Sequence, residues 1–165
     1  MHPAERGRLV MAVHKKRGTR MYKHILIATD GSELAAKAVT AGLQLAATVG
    51  ARVTALTATQ PYAAMVGVDG PALVFPMDEY ERSAAAAAAR ILEQISKEAG
   101  DLGVECATVH VRDFPAEAIT ATASAKNCDL IVMASHGRRG IGRLLLGSQA
   151  AKVVTVSPVP VLIVR

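Results

Sequence analysis

The sequence predicts an α/β protein: a single doubly wound (Rossmann-like) sheet of five parallel strands, with four helices that cover both of its faces. The first observation is composition, because 51% of the residues are hydrophobic while Trp is absent and only two Phe and three Tyr occur. Such an aliphatic core is typical of a parallel sheet covered by helices. The second is order, because short apolar runs alternate with longer helical patterns, as in βαβ units.

The first βαβ unit follows directly from this alternation. Residues 22–29 predict the first strand, and the turn after it carries Asp30 and Ser32, either of which would cap a helix. Gly50 is expected to end that helix, and residues 52–59 predict the second strand. Helical spacing assigns the buried face of the helix to Leu34, Ala38, Ala41, Leu45 and Val49.

The middle of the chain is less regular. Residues 60–82 carry three prolines and two glycines, a composition that fits either a mobile lid or a surface loop. Residues 83–99 include six consecutive alanines and predict a helix. Residues 104–111 alternate like a third strand, and Pro115 suits the first turn of another helix that ends near Asn127.

The last part of the chain predicts two strands around one more helix. Residues 130–133 are a compact apolar run that suits a strand buried on both faces, and residues 159–164 predict the fifth strand. Pro158 and Pro160 place the start of that strand at a sheet edge. An apolar edge needs cover, so we expect a homodimer through this strand. The expected dimer residues are Val159, Val161, Leu162, Ile163 and Val164.

The net charge of +5 comes from the first twenty positions. Of 19 basic and 14 acidic residues, six basic residues and Glu5 lie there, which leaves 13 of each sign in the remainder. We therefore expect residues 1–20 to be a disordered basic extension and residues 21–165 to be the domain. A neutral domain gives no support for nucleic-acid binding, and no apolar run is long enough for a membrane span.

Two cysteines, Cys106 and Cys128, lie far apart in the sequence, and neither has a His or Cys at ligand spacing. A metal site built from side chains is therefore not expected. Buried, unreactive thiols in a reducing cytoplasm are the expected state of both.

A glycine-rich basic segment lies between the fourth strand and the last helix. It carries Gly137, Gly140 and Gly142 together with Arg138, Arg139 and Arg143, and Gly147 and Ser148 then open the helix. Strand, glycine-rich loop and helix start form an arrangement that binds phosphate, because free amide groups and the helix dipole favour an anion. The spacing fits neither a P-loop nor a dinucleotide fingerprint. A simple turn of the chain remains the alternative.

This stretch resembles the signature of universal stress proteins, of the adenine-nucleotide alpha-hydrolase-like superfamily. The signature is Gly-x-x-Gly, nine residues, then Gly-Ser/Thr, and here nine residues separate Gly137 from Gly147-Ser148. Ala134 stands in place of the first glycine. The opening Tyr22-Lys23-His24-Ile25-Leu26-Ile27-Ala28-Thr29-Asp30-Gly31-Ser32 and the closing Ser157-Pro158-Val159-Pro160-Val161-Leu162-Ile163-Val164 resemble the family's first and last strands.

The resemblance implies a regulatory stress protein that binds ATP, with Mg²⁺ on the phosphates, and hydrolyses it slowly or not at all. Asp30 would lie beside the ribose or adenine, the backbone near Ala58 would meet the adenine, and Ser148 would contact phosphate. The last strand commonly mediates dimers in this family, which implies the same here. The implied nucleotide-binding residues are Ala28, Thr29, Asp30, Ala58, Met133, Ala134, Ser135, His136, Gly137, Arg138, Gly147, Ser148 and Gln149.

Other interpretations stay open at this level. Asp30 and Ser148 could serve only as helix caps, His136 could brace its loop, and Arg138 could be solvated. If the first signature position needs a positive φ or the closest approach of the backbone to the ligand, Ala134 would silence the site and leave a dimeric module that acts through protein partners. An ATP pyrophosphatase of the related fold would want Ser-Gly-Gly-x-Asp-Ser after the first strand, and the chain has Thr-Asp-Gly-Ser there.

Overall fold

The computed structural model describes residues 21–66, 76–137 and 146–165. Five strands form one parallel sheet in the order β3-β2-β1-β4-β5. The predicted doubly wound architecture is therefore confirmed. The strands are β1 (His24–Ala28), β2 (Arg52–Thr59), β3 (Cys106–Arg112), β4 (Leu130–Ala134) and β5 (Val161–Val164). The helices are α1 (Glu33–Val49), α2 (Tyr62–Val66), α3 (Met77–Asp101), α4 (Pro115–Ala125) and α5 (Ser148–Val156).

Helices cover both faces of the sheet, as predicted. Successive residues of a strand point to opposite faces, so Ile25 and Ile27 of β1 pack with α1 and α3 while Leu26 packs with α4 and α5. Every residue of β1 and β4 is buried, because these two strands lie in the middle of the sheet. Their continuous apolar sequences are the consequence of burial on both faces.

The segment of residues 60–82 contains more helix than its prolines and glycines indicated. The four predicted helices are present, and a fifth, short helix, α2, lies in this segment. The third helix begins at Met77 rather than at residue 83, directly after Pro76 at its N-cap. Residues 67–75, which hold the rest of the segment, lie outside the described residues.

The buried face of α1 differs from the predicted one. Ala38 is buried as expected, but Leu34, Leu45 and Val49 are only partly buried. The buried side consists of small residues and one Leu, and at Gly42 an added Cβ would lie 2.7 Å from Cδ1 of Ile27. The small residues let the helix lie close to the sheet, and Leu34, Leu45 and Val49 pack at the periphery of this interface. The buried residues of α1 are Ala35, Ala38, Val39, Gly42, Leu43 and Ala46.

The turn between β1 and α1 uses both predicted capping residues. Ser32 is the N-cap, and its Oγ accepts a hydrogen bond from the Ala35 amide at 3.2 Å. Asp30 Oδ1 accepts from the Ser32 amide at 3.0 Å, and Gly31 between them has a φ of +77°. Asp30 thus shapes the turn, and Ser32 caps the helix.

The fifth strand lies at a sheet edge, as predicted, beside β4. It begins at Val161 rather than at residue 159, because Val159 is held in a turn by Ser157. Leu162 on this strand is 40% exposed. The dimer remains a prediction.

The two thiols differ in exposure. Cys128 is buried, and burial together with the charge of Asp129 raises the pKa of its thiol to about 11. Cys106 is only partly buried, contrary to expectation, because β3 is the other edge strand. Within the described ranges, no helix combines the length and the apolar character that a membrane span needs.

Candidate functional site

A cavity of about 670 Å³ lies at the carboxyl ends of β1, β2 and β4. The chain runs outward from β1 in one direction through β2 and β3, and in the other through β4 and β5, so the order of strands switches between β1 and β4. Ligands of doubly wound sheets bind at such a switch point. The predicted site residues that line this cavity are Ala28, Thr29, Asp30, Ala58, Met133, Ala134, Ser135, His136, Gly137, Gly147, Ser148 and Gln149. Arg138 lies outside the described residues.

The end of β1 presents a carboxylate to the cavity. The Thr29 amide donates to the carbonyl of Leu56 at 2.9 Å, which ties the end of β1 to β2. Asp30 follows, and a Cβ added to Gly137 would lie only 2.8 Å from its Oδ2. The chain after β4 therefore passes directly beside this carboxylate, and a side chain at position 137 would require the carboxylate to move.

Ala134 is the last residue of β4 and has ordinary strand geometry. It pairs with Val164 of β5 and is 7% exposed. In the described part of the chain, Asn127 alone among non-glycine residues has a positive φ. The methyl group of Ala134 belongs to the apolar core shared with α1 and α3. The departure from the family signature thus places one extra methyl group in an extended strand and introduces no backbone strain.

The start of α5 lies directly against the end of β4. The Gly147 amide donates to the carbonyl of Ser135 at 2.9 Å, and an added Cβ would lie 3.2 Å from that same oxygen. Gly147 is the N-cap and provides no side chain to the first amide groups of the helix. Ser148 is the first residue of α5 rather than its cap, so the alternative role as N-cap is wrong. No described side chain caps these amides, and together with the helix dipole they make this end of the cavity suited to an anion.

Gln149 and His136, two of the predicted ligand-binding residues, form hydrogen bonds with other residues of the site through their side chains. The Ala116 amide of α4 donates to Oε1 of Gln149 at 3.0 Å, so this side chain joins the starts of α4 and α5. An ion pair between Glu117 and Lys152 connects the same helices, and the hydrogen bond from Lys152 lowers the pKa of the Glu117 carboxyl. His136 Nδ1 lies 3.1 Å from Ser135 Oγ, which braces the loop as the alternative interpretation expected.

The sequence interpretation missed the wall of the cavity that α3 contributes. Four apolar α3 residues on one helical face line the cavity together with Ser83 and Tyr80 of the same helix. The Tyr80 hydroxyl donates to the carbonyl of Gln60 at 2.9 Å. Thr57 of β2 also lines the cavity and is 5% exposed. The run of six alanines predicts a helix, but nothing in the run itself indicates that one of its faces lines a cavity. The four α3 residues, here called the α3 wall, are Ala84, Ala87, Ala88 and Ile91.

Titratable side chains are few among the described residues that line the cavity. Over the residues that the structure describes, no group of three or more His, Cys, Asp or Glu side chains could hold a metal ion. Asp30 is the acidic side chain beside the cavity, and His136 is bonded to its neighbour Ser135.

The comparison with family models agrees with this geometry. The model described as the universal stress protein family matches residues 21–165. The chain belongs to the universal stress protein family. It is 33% identical to the universal stress protein YxiE of Bacillus subtilis over 149 residues, which cover 88% of this chain and 100% of the relative.

Solved structures of the family share the fold. The chain is similar to the universal stress protein UspA from Lactobacillus plantarum with a TM-score of 0.76 and 27% identity, covering 87% of this chain and 98% of that one. It is also similar to a universal stress protein in complex with cAMP, with a TM-score of 0.61 and 28% identity, covering 87% of this chain and 97% of that one. The fold is therefore that of the adenine-nucleotide alpha-hydrolase-like superfamily.

Proposed function

We propose that this chain is a regulatory stress protein that binds ATP, with Mg²⁺ on the phosphates, in the cavity at the carboxyl ends of β1, β2 and β4. The observation that carries the proposal is the uncapped start of α5 at the strand-order switch, beside Gly137 and Asp30. Phosphate groups are the ligands that a helix start of this kind favours.

The dimensions of the cavity fit a nucleotide that lies across the strand ends. Parallel strands are about 4.8 Å apart, so the ends of β4 and β2 are roughly 10 Å apart with β1 between them. Phosphates at Gly147 and Ser148 would leave the ribose near Asp30 and the base near Ala58. A relative solved in complex with cAMP supports an adenine nucleotide as the ligand class.

The proposal includes slow hydrolysis or none. Phosphoryl transfer needs a positioned nucleophile and groups that hold the metal ion and stabilise the developing charge. Among the described residues at the cavity, Asp30 is the one acidic side chain, and its Oδ1 already accepts a hydrogen bond from the Ser32 amide. The site is therefore better suited to sensing or storing a nucleotide than to turning it over.

Three further parts of the proposal concern the whole chain. We propose that residues 1–20 are an extension outside the binding domain, so that a variant that begins at Met21 binds ATP as the full chain does. The free thiols Cys106 and Cys128 suit a reducing compartment, and we propose the cytoplasm. We also propose that β5 pairs with a second copy of the chain to form a homodimer.

Calorimetric titration with Mg²⁺–ATP tests the proposal directly. We expect binding by the wild-type protein and its loss in the double variant Gly147→Val, Ser148→Ala, because the added side chain at position 147 would collide with Ser135 and the hydroxyl at position 148 would be removed. Thr155→Ala is the matched control, since Thr155 lies near the opposite end of α5 and its hydroxyl bonds only within the helix.

The titration decides the question only if the double variant is folded. Circular dichroism and a melting curve must show that the double variant is folded. Binding that survives in this folded double variant would place the phosphates elsewhere. A wild-type protein that binds no ATP, or that hydrolyses it at ordinary enzyme rates, would overturn the proposal.

A further inference from the structure

The α3 wall gives one side of the cavity an apolar, nearly featureless surface. Residues 84, 87, 88 and 91 recur at helical spacing and form one stripe, and three of the four are alanines. Side chains this small keep the helix backbone close to β2 while leaving a flat surface. Such a surface suits the face of a planar ring and disfavours a charged group.

The β2 side of the cavity, opposite the α3 wall, contains one buried polar side-chain atom among the described residues, the Oγ1 of Thr57. Val53 and Ala55 of β2 belong to the core shared with α1 and α3, and by strand alternation Thr57 points to the same side. Thr57 is 5% exposed and lines the cavity, and in the described part of the chain its Oγ1 has no hydrogen-bond partner. A buried hydroxyl without a protein partner is disfavoured in the free protein, so a ligand group that bonds to it would gain binding free energy.

The neighbouring polar groups are already occupied. Thr59 Oγ1 lies 2.8 Å from Nε2 of His110, which pairs with Thr57 across the β2–β3 register. The Tyr80 hydroxyl donates to the carbonyl of Gln60. Ser83 also lines this end of the cavity but is exposed to water, so among the described residues here the Thr57 hydroxyl is the buried one that still needs a partner.

We propose that Thr57 reads the base of the bound nucleotide: its hydroxyl forms a hydrogen bond with the polar edge of a purine ring whose face packs on the α3 wall. This inference rests on the proposed function, which puts the phosphates at α5 and the base at the end of β2. Thr57 then acts as a specificity-determining residue for the base and has no part in phosphate binding.

Two substitutions separate the hydroxyl from the shape of the side chain. Thr57→Val removes the hydroxyl and keeps the branched shape, whereas Thr57→Ser keeps the hydroxyl. We expect Thr57→Val to weaken Mg²⁺–ATP binding about tenfold and Thr57→Ser to change it by less than about threefold. Without ligand, Thr57→Val should melt at the same temperature as the wild type or higher, because the unpartnered hydroxyl is gone.

Inorganic tripolyphosphate shows whether the effect is confined to the base. Calorimetric competition should give the same tripolyphosphate affinity for the wild type and for Thr57→Val. A Thr57→Val protein that binds ATP like the wild type overturns this inference and leaves the proposed function standing. An equal loss of ATP and tripolyphosphate binding shows a structural role and also overturns it. A wild-type protein that binds no ATP ends both proposals.

Discussion

Glycine occupies two positions beside the cavity where a side chain would collide with its neighbours. At position 137 the neighbour is the Asp30 carboxylate, and at position 147 it is the backbone of Ser135 and His136. Neither of these two glycines is among those with a positive φ. The family signature therefore encodes close approach at these positions, and this explains why Ala134, which sits in a regular strand, leaves the geometry intact.

Gly137→Ala tests the role of close approach. The new methyl group would lie 2.8 Å from Asp30 Oδ2 and would displace the carboxylate that also holds the Ser32 amide. We expect a loss of about 1 kcal/mol in the free energy of unfolding, measured by urea denaturation, together with weaker ATP binding.

Gly100→Ala is the matched control for that experiment. It lies in α3 with no heavy atom within 4 Å of an added Cβ, so the same substitution should stabilise the protein by roughly 0.5–1 kcal/mol and leave ATP binding unchanged. Equal effects of the two substitutions would show that Gly137 has no special role.

At the scale of the elements, the pairing of β1 with β2 buries a histidine at the amino end of the sheet. His24 is 6% exposed, its Nε2 lies 2.8 Å from Thr54 Oγ1, and among the described residues its Nδ1 has no partner. Burial, followed by the charge of Arg52, lowers the pKa of His24 below its ordinary value of 6.5. Burial and Arg112 lower the pKa of His110 as well.

These shifts predict how stability depends on pH. Between the lowered pKa of the folded state and 6.5, the unfolded chain binds more protons than the folded one. The free energy of unfolding should therefore rise as pH increases toward about 6.5 and then level off. Urea denaturation at several pH values measures this. In His24→Gln the slope should decrease, whatever the overall stability, and an unchanged slope would contradict the assignment to His24.

The sequence predicted the bounds of an element where the signal is local and failed where the bounds depend on contacts with other elements. The bounds of β2 and the start of α4 at Pro115 were predicted correctly, because a short run of apolar and threonine residues and a proline at the first helical turn are local signals. The buried stripe of α1 and the early start of α3 were not, because both depend on contacts with other elements. For the same reason the sequence located the strand ends of the cavity but missed the α3 wall, whose alanines carry no chemical signal of their own.

At the scale of the whole molecule, the two edges of the sheet differ. The outer strand β5 has Leu162 at 40% exposure, and α5 beside it exposes Val154 at 47% and Val156 at 54%. Val161 and Ile163 pack on the α5 side, so by strand alternation Leu162 faces the α1 side, and the exposed apolar side chains flank the β5 edge from both faces of the sheet. A second copy of the chain that paired with β5 would cover this edge. The same strand binds the end of β4, where the Ser135 amide donates to Val164.

Sedimentation velocity at micromolar concentration tests this surface. We expect a dimer for the wild type and a monomer for Leu162→Lys, because a buried unpaired charge strongly opposes association. Leu102→Lys is the control, since Leu102 is 46% exposed at the end of α3, away from β5. A wild-type monomer, or a dimer that Leu162→Lys leaves intact, would rule out pairing through β5. Because β5 holds the backbone of Ser135 beside the start of α5, we also expect the monomeric variant to bind ATP less tightly than the dimer.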